Sequence, residues 1–391
     1  MASLVRMVWR MAPDLRALLH AASTPGGQAA SRQAASSPAA SRQAAPRQAA
    51  PSSAASSSVA SGFTASASPV SEQTPDGTAI RVVGPNPALD RIEILDRLRI
   101  DDVNRSIDVH NHAGGKSLNV ARVLRRLGLD VTAYGFLGGW TGDFIRKACV
   151  ADGIADRHTP IAGDTRISVI LAEPRTGAST VVNEPGPVIA ADEAATLSET
   201  VAADCRPGDL VVLSGSLPRG VPLDFGATLV RVAQDAGARA VVDTSGAALA
   251  AAIEARPWML KPNLAELAHL TGRDLHPDRP AEIVGQMRSL IGKGIGSVVV
   301  TLGAAGALYA DAHQTLRVRA PRVAAKNPTG AGDIMLAGFV AATSCGAGPA
   351  AALRIGVSAA AASVARVEPD IGGAAAVLAL LDGATVETHP A

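Results

Sequence analysis

The chain of 391 residues carries 36 Lys+Arg against 35 Asp+Glu, with 3% aromatic residues and three cysteines. Near-neutral charge and so few aromatic side chains argue against a nucleic-acid footprint, which needs a basic face or stacking platforms. Cys149, Cys205 and Cys345, odd in number and far apart, exclude a disulfide framework or a zinc ribbon.

Residues 1–78 stand apart. They hold six arginines, no lysine and three acids, and the stretch 31–60 is almost entirely Ala, Ser, Gln, Pro and Arg. Such a segment buries too little apolar surface to offset its ordering entropy, so 1–78 is expected to be a disordered extension. Its Arg-bearing, Ser-rich start leaves an organellar transit peptide as the lesser alternative. The extension carries +3 and the body, 79–391, carries −2. Residues 334–353 are uncharged, but Gly346, Gly348 and Pro349 interrupt them, so two buried helices joined by a turn are expected rather than a membrane span. These features imply a soluble, cytoplasmic protein with neither a membrane nor a nucleic acid as partner.

From Arg81 onward, short β-branched runs alternate with amphipathic segments, the pattern of a parallel sheet built from βαβ units. The spacing of Leu118, Ala121, Leu124 and Leu127 before Gly128 predicts a helix over 117–127. Strands are predicted at 131–136, 209–213, 239–243, 258–260 and 297–301. Helices are predicted at 223–236, 246–255, 263–270, 280–292, 332–344 and 350–364. Segments 89–110 and 166–183 break the rhythm and read as an antiparallel appendage, a flap over the main sheet.

Four predicted strands end in small or functional residues: Ser214-Gly215-Ser216, Asp243-Thr244-Ser245-Gly246, Lys261-Pro262-Asn263 and Thr301-Leu302-Gly303. In an open parallel sheet, ligands bind in the crevice at those ends. The strongest single motif is Asn327-Pro328-Thr329-Gly330-Ala331-Gly332-Asp333, which opens an apolar helix. Small residues at a helix start let backbone N–H groups approach an anion closely, with the helix dipole in support. Asp333 then has two readings: a cap for its own helix, or a carboxylate beside an anion hole that takes a proton from an attacking hydroxyl.

A second glycine run, Ala113-Gly114-Gly115-Lys116-Ser117-Leu118-Asn119, opens the first helix. Position 110 is His rather than the Gly a P-loop requires, and Met335 stands where a dinucleotide fingerprint needs its third Gly. Arg105 and Arg166 lie in the flap segments, where an anionic substrate would give them a purpose.

Taken in order, the motifs NPALD (86–90), AGGKSLNVARVLRRLG (113–128), GFLGG (135–139), SGSLPRGVP (214–222), VDTSG (242–246), KPNLAEL (261–267), TLGAAGAL (301–308) and NPTGAGD (327–333) form a specific set. With them the body, from about Val82 to Gly372, resembles the ribokinase-like (PfkB-type) carbohydrate kinases. The likeness is to the branch that phosphorylates sugar phosphates, the 1-phosphofructokinases and tagatose-6-phosphate kinases ahead of the minor 6-phosphofructokinases. The resemblance implies an α/β three-layer sandwich over 79–391: a mainly parallel central sheet flanked by helices, with a small β-sheet lid from about 89–112 and 166–183.

It further implies an ATP- and Mg2+-dependent kinase of fructose 1-phosphate, fructose 6-phosphate or tagatose 6-phosphate. By that resemblance Asp333 is the base, and the backbone of Gly330, Ala331 and Gly332 is the anion hole. Asn263 and Glu266 position Mg2+, partly through water. Asp243, Lys261, Thr301 and Gly303 line the nucleotide side. Asp90, Gly114, Gly115 and Asn119 meet sugar hydroxyls, and Arg105 and Arg166 hold the substrate's own phosphate. A homodimer through the lid is implied as well. DDVNR at 101–105 and Lys116 follow the first two branches, whereas Ile334 stands where relatives carry a small residue. The alternatives are a kinase of an unphosphorylated sugar or nucleoside, and a non-catalytic sugar-phosphate-binding protein.

Overall fold

The β-branched runs become strands whose successive side chains face opposite sides. In the computed structural model, which describes residues 13–23, 78–366 and 369–389, Val82 and Val83, Val211 and Val212, and Val241 and Val242 divide between two hydrophobic cores. That split is what a sheet buried on both faces demands of its strands.

The large sheet is built from β1 (Ile80–Gly84), β4 (Val131–Leu137), β5 (Ala155–Asp156), β6 (Thr159–Pro160), β9 (Leu210–Ser214), β10 (Arg239–Asp243), β11 (Met259–Leu260), β12 (Ser297–Thr301), β13 (Ala307–Asp311), β14 (Thr315–Arg319) and β15 (Thr385–His389). Its order is β15-β14-β13-β12-β11-β10-β9-β1-β4-β5, with β6 also on β4. Pairing is parallel from β12 through β4 and antiparallel across β12, β13, β14 and β15.

One face is covered by α2 (Lys116–Arg126), α3 (Gly139–Ala151), α9 (Ala331–Ser344), α10 (Pro349–Val364) and α11 (Ala374–Leu380). The other face carries α4 (Ala191–Asp204), α5 (Phe225–Asp235), α6 (Gly246–Ile253), α7 (Leu264–Thr271) and α8 (Pro280–Gly292). The uncharged stretch 334–353 is indeed two helices and a turn, and no helix among the described residues is long and apolar enough to cross a membrane. Helices α9 and α10 cross very closely. A Cβ on Gly356 would meet the Met335 carbonyl oxygen at 2.7 Å, so the crossing depends on a residue with no side chain.

The amino-terminal edge of the sheet is tied by charge. Arg81 donates to Asp209 at 2.8 Å and to the Tyr134 hydroxyl at 3.0 Å, and Tyr134 in turn donates to Asp204 at 3.0 Å. The Arg239 guanidinium lies over the Trp258 ring, 4.8 Å from its centroid.

The flap is a separate four-stranded sheet, β3-β2-β7-β8, of β2 (Ala88–Ile94), β3 (Asp108–Gly114), β7 (Arg166–Glu173) and β8 (Ala178–Asn183). Its two hairpins are antiparallel, but the central β2–β7 pair is parallel, which corrects the purely antiparallel reading. The chain passes through α2, β4 and α3 between β3 and β7, and a crossover of that length permits parallel pairing.

The largest correction concerns residues 1–78. Within the segment expected to be disordered, Pro13–Ser23 forms a helix, α1, with Leu15 and Leu18 completely buried. Leu15, Leu18 and Ala22 share one helical face, and that face packs on α10 and α11. The rest of the extension, 1–12 and 24–77, lies outside the described residues.

Candidate active site

Strands β9 to β12 all point their carboxyl ends into one crevice, and the charged residues at those ends meet there. Asp243, fully buried at the end of β10, takes an ion pair from Lys261 at 3.1 Å. It takes a second from Lys116, the first residue of α2, at 3.4 Å. Lys116 also lies 3.9 Å from Glu266 Oε1. Burial pulls the Lys116 ammonium down, but Asp243, Asp333 and Glu266 together hold it above its ordinary value.

The glycine motif closes the crevice from the α9 side. The Asn327 side chain accepts from Thr329 N–H at 2.9 Å, and Gly330 takes up the left-handed region at φ 75° that the turn into α9 requires. Ala331 N–H closes that turn on the Pro328 carbonyl at 3.2 Å. Gly330 at the N-cap makes no side-chain cap hydrogen bond, and Asp333 stands in the first turn of α9, where its charge suits the helix dipole. Its Oδ2 accepts from Asn119 Nδ2 at 3.1 Å. Arg122 donates to the opposite end of that amide at 3.5 Å and to Asp152 at 3.1 Å, which sets the direction Asn119 faces. Burial, then the Asp243 charge, push the Asp333 carboxyl up to about 7 against the pull of Lys116, Asn119 and Lys261. Lys261 Nζ sits 3.7 Å from the point a Cβ on Gly332 would occupy, beside the glycine loop.

The small sheet supplies the facing wall. The Asp90 carboxylate on β2 occupies the space where a Cβ on Gly114 would lie, so Gly114 is required for its placement. Burial pushes Asp90 up to about 6, opposed by Arg166, Arg122 and the Gly115 N–H. Arg166 donates twice to the Asn86 carbonyl at 3.3 Å. Arg105 lies exposed in the loop between β2 and β3 and joins none of these contacts.

Beside this crevice, Thr301 ends β12 and bridges Asn263, and Gly303 opens a tight turn at φ 58°. Asn263 and Glu266 form a reciprocal capping box on α7: Glu266 N–H donates to Asn263 at 2.8 Å and Asn263 N–H to Glu266 Oε2 at 2.9 Å. That leaves Glu266 Oε1 directed toward Lys116.

Three residues escape the sequence assignment: Lys116, noted only as a branch marker, together with Arg122 and Asn86. Lys116 does carry a signal. A cation in the first turn of a helix opposes the helix dipole and calls for a counter-ion, here Asp243.

Cations and a helix N-terminus gather on one side of a buried carboxylate, with a polar wall facing it, at the carboxyl ends of a parallel sheet. This layout defines a phosphoryl-transferring α/β kinase. Residues 82–372 match the family described as pfkB family carbohydrate kinase, and the chain belongs to that family, with its ribokinase-like fold. A 1-phosphofructokinase of Xanthomonas campestris pv. campestris is 41% identical over 261 residues, which span 66% of this chain and 81% of that protein. Phosphofructokinase-2 of Escherichia coli in complex with fructose-6-phosphate superposes with a TM-score of 0.72 at 28% identity, over 78% of this chain and 98% of that one. The tetrameric inhibited form of the same enzyme gives a TM-score of 0.73 at 28% identity, over 78% and 98% of the two chains.

Proposed function

We propose that this chain moves the γ-phosphoryl group of ATP to a free hydroxyl of a ketohexose phosphate, giving the bisphosphate. Fructose 1-phosphate is the first choice, then tagatose 6-phosphate and fructose 6-phosphate. The observation that carries the reading is Asp333: a buried carboxylate raised toward neutrality, held by Asn119, one turn into the helix that the glycine loop opens.

In this reading Asp333 takes the proton of the attacking hydroxyl. The backbone of Gly330, Ala331 and Gly332 receives the phosphoryl oxygens, and Lys261 and Lys116 neutralise charge beside them. Asp90, fixed by Gly114 and Gly115, and Asn119 orient the sugar hydroxyls. Arg166 is better placed than the exposed Arg105 to hold the phosphate already on the substrate. Thr301 and Gly303 shape the nucleotide edge.

Mg2+ is implied by the family's chemistry, and the donor set suits a hydrated ion. Mg2+ takes one or two carboxylates and completes its shell with water and phosphate; Glu266 Oε1, left outside the capping box, supplies one, whereas both Asp243 oxygens are ion-paired to lysines. Asn263 holds Glu266 in place through the capping box. Held there, Mg2+ would supply charge neutralisation to the phosphates. A cytoplasmic location and a homodimer belong to the same proposal. The exposed Val109, Val181 and Val182 of the small sheet support the dimer.

ADP release across the three sugar phosphates and their unphosphorylated parents tests the reading. Activity confined to a phosphorylated ketohexose is expected. Activity confined to a free sugar or nucleoside would overturn it, and no turnover on any acceptor would favour a non-catalytic binding protein. Within the active set, Gly114→Ala should force the Asp90 carboxylate aside. KM for the sugar phosphate is then expected to rise by about tenfold or more, the worth of one good hydrogen bond to a charged group, with KM for ATP unchanged. Steady-state kinetics in both substrates check this, and an unchanged sugar KM would remove Asp90 from the sugar site.

A further inference from the structure

Helix α1 lies outside everything the family match accounts for, since the match begins at residue 82 and α1 ends at Ser23. Leu15, Leu18 and Ala22 form its apolar face, with Leu15 and Leu18 wholly buried and Leu19 and Ala21 packed at the margin. The receiving surface is the groove between α10 and α11. The closure is polar. Arg354 of α10 donates to the Ala22 carbonyl, in the last turn of α1, at 2.7 Å, to the Leu381 carbonyl at 3.0 Å and to the Ala384 carbonyl at 3.1 Å. A helix C-terminus presents unpaired carbonyls and the negative end of the dipole, so a guanidinium suits that position. One arginine thereby joins α1 to the segment that follows α11.

The groove is not remote from the chemistry. Its helix α10 crosses α9 at Gly356 without room for a side chain, and α9 starts at the glycine loop.

We propose that residues 13–23 are a strap, an own-chain helical ligand for the α10–α11 groove, latched by Arg354 and bracing the helix pair behind the glycine loop. The occupant is this chain's own Leu-x-x-Leu-x-x-x-Ala helix rather than a second copy's. An eleven-residue helix is marginal alone in water, so docking and helix formation are one event. The groove thus recognises a short amphipathic helix by two leucine sites and a carbonyl-reading arginine, a feature separate from the kinase site.

Amide hydrogen exchange on the full-length protein tests this. In the parent, amides of residues 17–23 should exchange at least about tenfold more slowly than in a synthetic peptide of residues 11–25, at every protein concentration across a hundredfold range. In full-length Leu15→Asp/Leu18→Asp that protection should vanish, and residues 349–364 and 374–384 should exchange faster, by about tenfold. Adding the 11–25 peptide should restore protection of 349–364 in the variant while failing to bind the parent, whose groove is filled. Peptide-like exchange of 17–23 in the parent would overturn the proposal. So would unchanged exchange of 349–384 in the variant. Protection that fades on dilution would overturn the own-chain assignment and give the helix to a second copy.

Discussion

Asp333→Asn is expected to lower turnover by about 10²–10⁴-fold, the usual range for a lost general base, while ATP binding persists. The same carboxyl is expected to govern the pH dependence. Pushed up to about 7 in the folded protein, it must be ionised to accept a proton. The kcat/KM of the parent for the sugar phosphate should therefore fall about tenfold per unit below pH 7, and the residual rate of the variant should not follow that slope. Stability moves the other way. The folded value lies above the ordinary 3.8, so the contribution of protonated Asp333 is complete below that value and is lost as pH rises to about 7. Asp333→Asn should accordingly melt above the parent at pH 8, with the margin narrowing toward pH 5. A loss of turnover under tenfold, or a flat parental profile between pH 6 and 8, would remove Asp333 from the role of base.

Lys261→Met should harm both folding and chemistry. The Lys261–Asp243 pair is nearly sealed from solvent, and removing one member of a buried pair costs roughly 3–5 kcal/mol because a charge is left uncompensated. Lys116, 3.4 Å from the other carboxylate oxygen, keeps the expected cost near the lower end. Turnover should fall by about 10²–10³-fold, as when one aimed donor is taken from a transition-state site. In the double variant Lys261→Met/Asp243→Asn the melting temperature should recover, which would assign the loss of stability to the uncompensated charge, while turnover, to which Asp243 also contributes in the proposed site, should stay low. Recovery of both would place Lys261 in the scaffold alone, and recovery of neither would show that the pair is not the source of the loss.

Much of this arrangement was legible in the sequence because strand and loop chemistry are local. The runs ending at Ser214, Asp243, Leu260 and Thr301 are strands, and the residues that follow them do line one crevice. What escaped was non-local or averaged away. Lys116, Asp243 and Lys261 come from three separate elements, and no spacing rule joins them. Helix α4 carries Ala194, Leu197 and Val201 at helical spacing, diluted by Ser, Thr and Glu. Helix α3 begins at a glycine pair and buries only Thr141, Gly142, Ile145 and Cys149, so it offers no strong apolar stripe. Strands β13 to β15, at one end of the large sheet, alternate too briefly to stand out from loop. Helix α1 was hidden by arithmetic: averaging over 78 residues of Ala, Ser and Arg conceals one face of two leucines and an alanine.

The charge ties at the amino-terminal edge of the large sheet, Arg81–Asp209–Tyr134–Asp204 and Arg239 over Trp258, lie at the opposite end of the strands from Asp243 and Lys261. The two ends answer to different selective pressures. A substitution such as Asp209→Ala strands a buried guanidinium and lowers the amount of folded protein, yet leaves the rate per folded molecule alone. A substitution at the carboxyl ends is expected to change that rate. Variation in natural copies of this chain is thus separable by position along the strand into lesions of abundance and lesions of catalysis, before any assay is run.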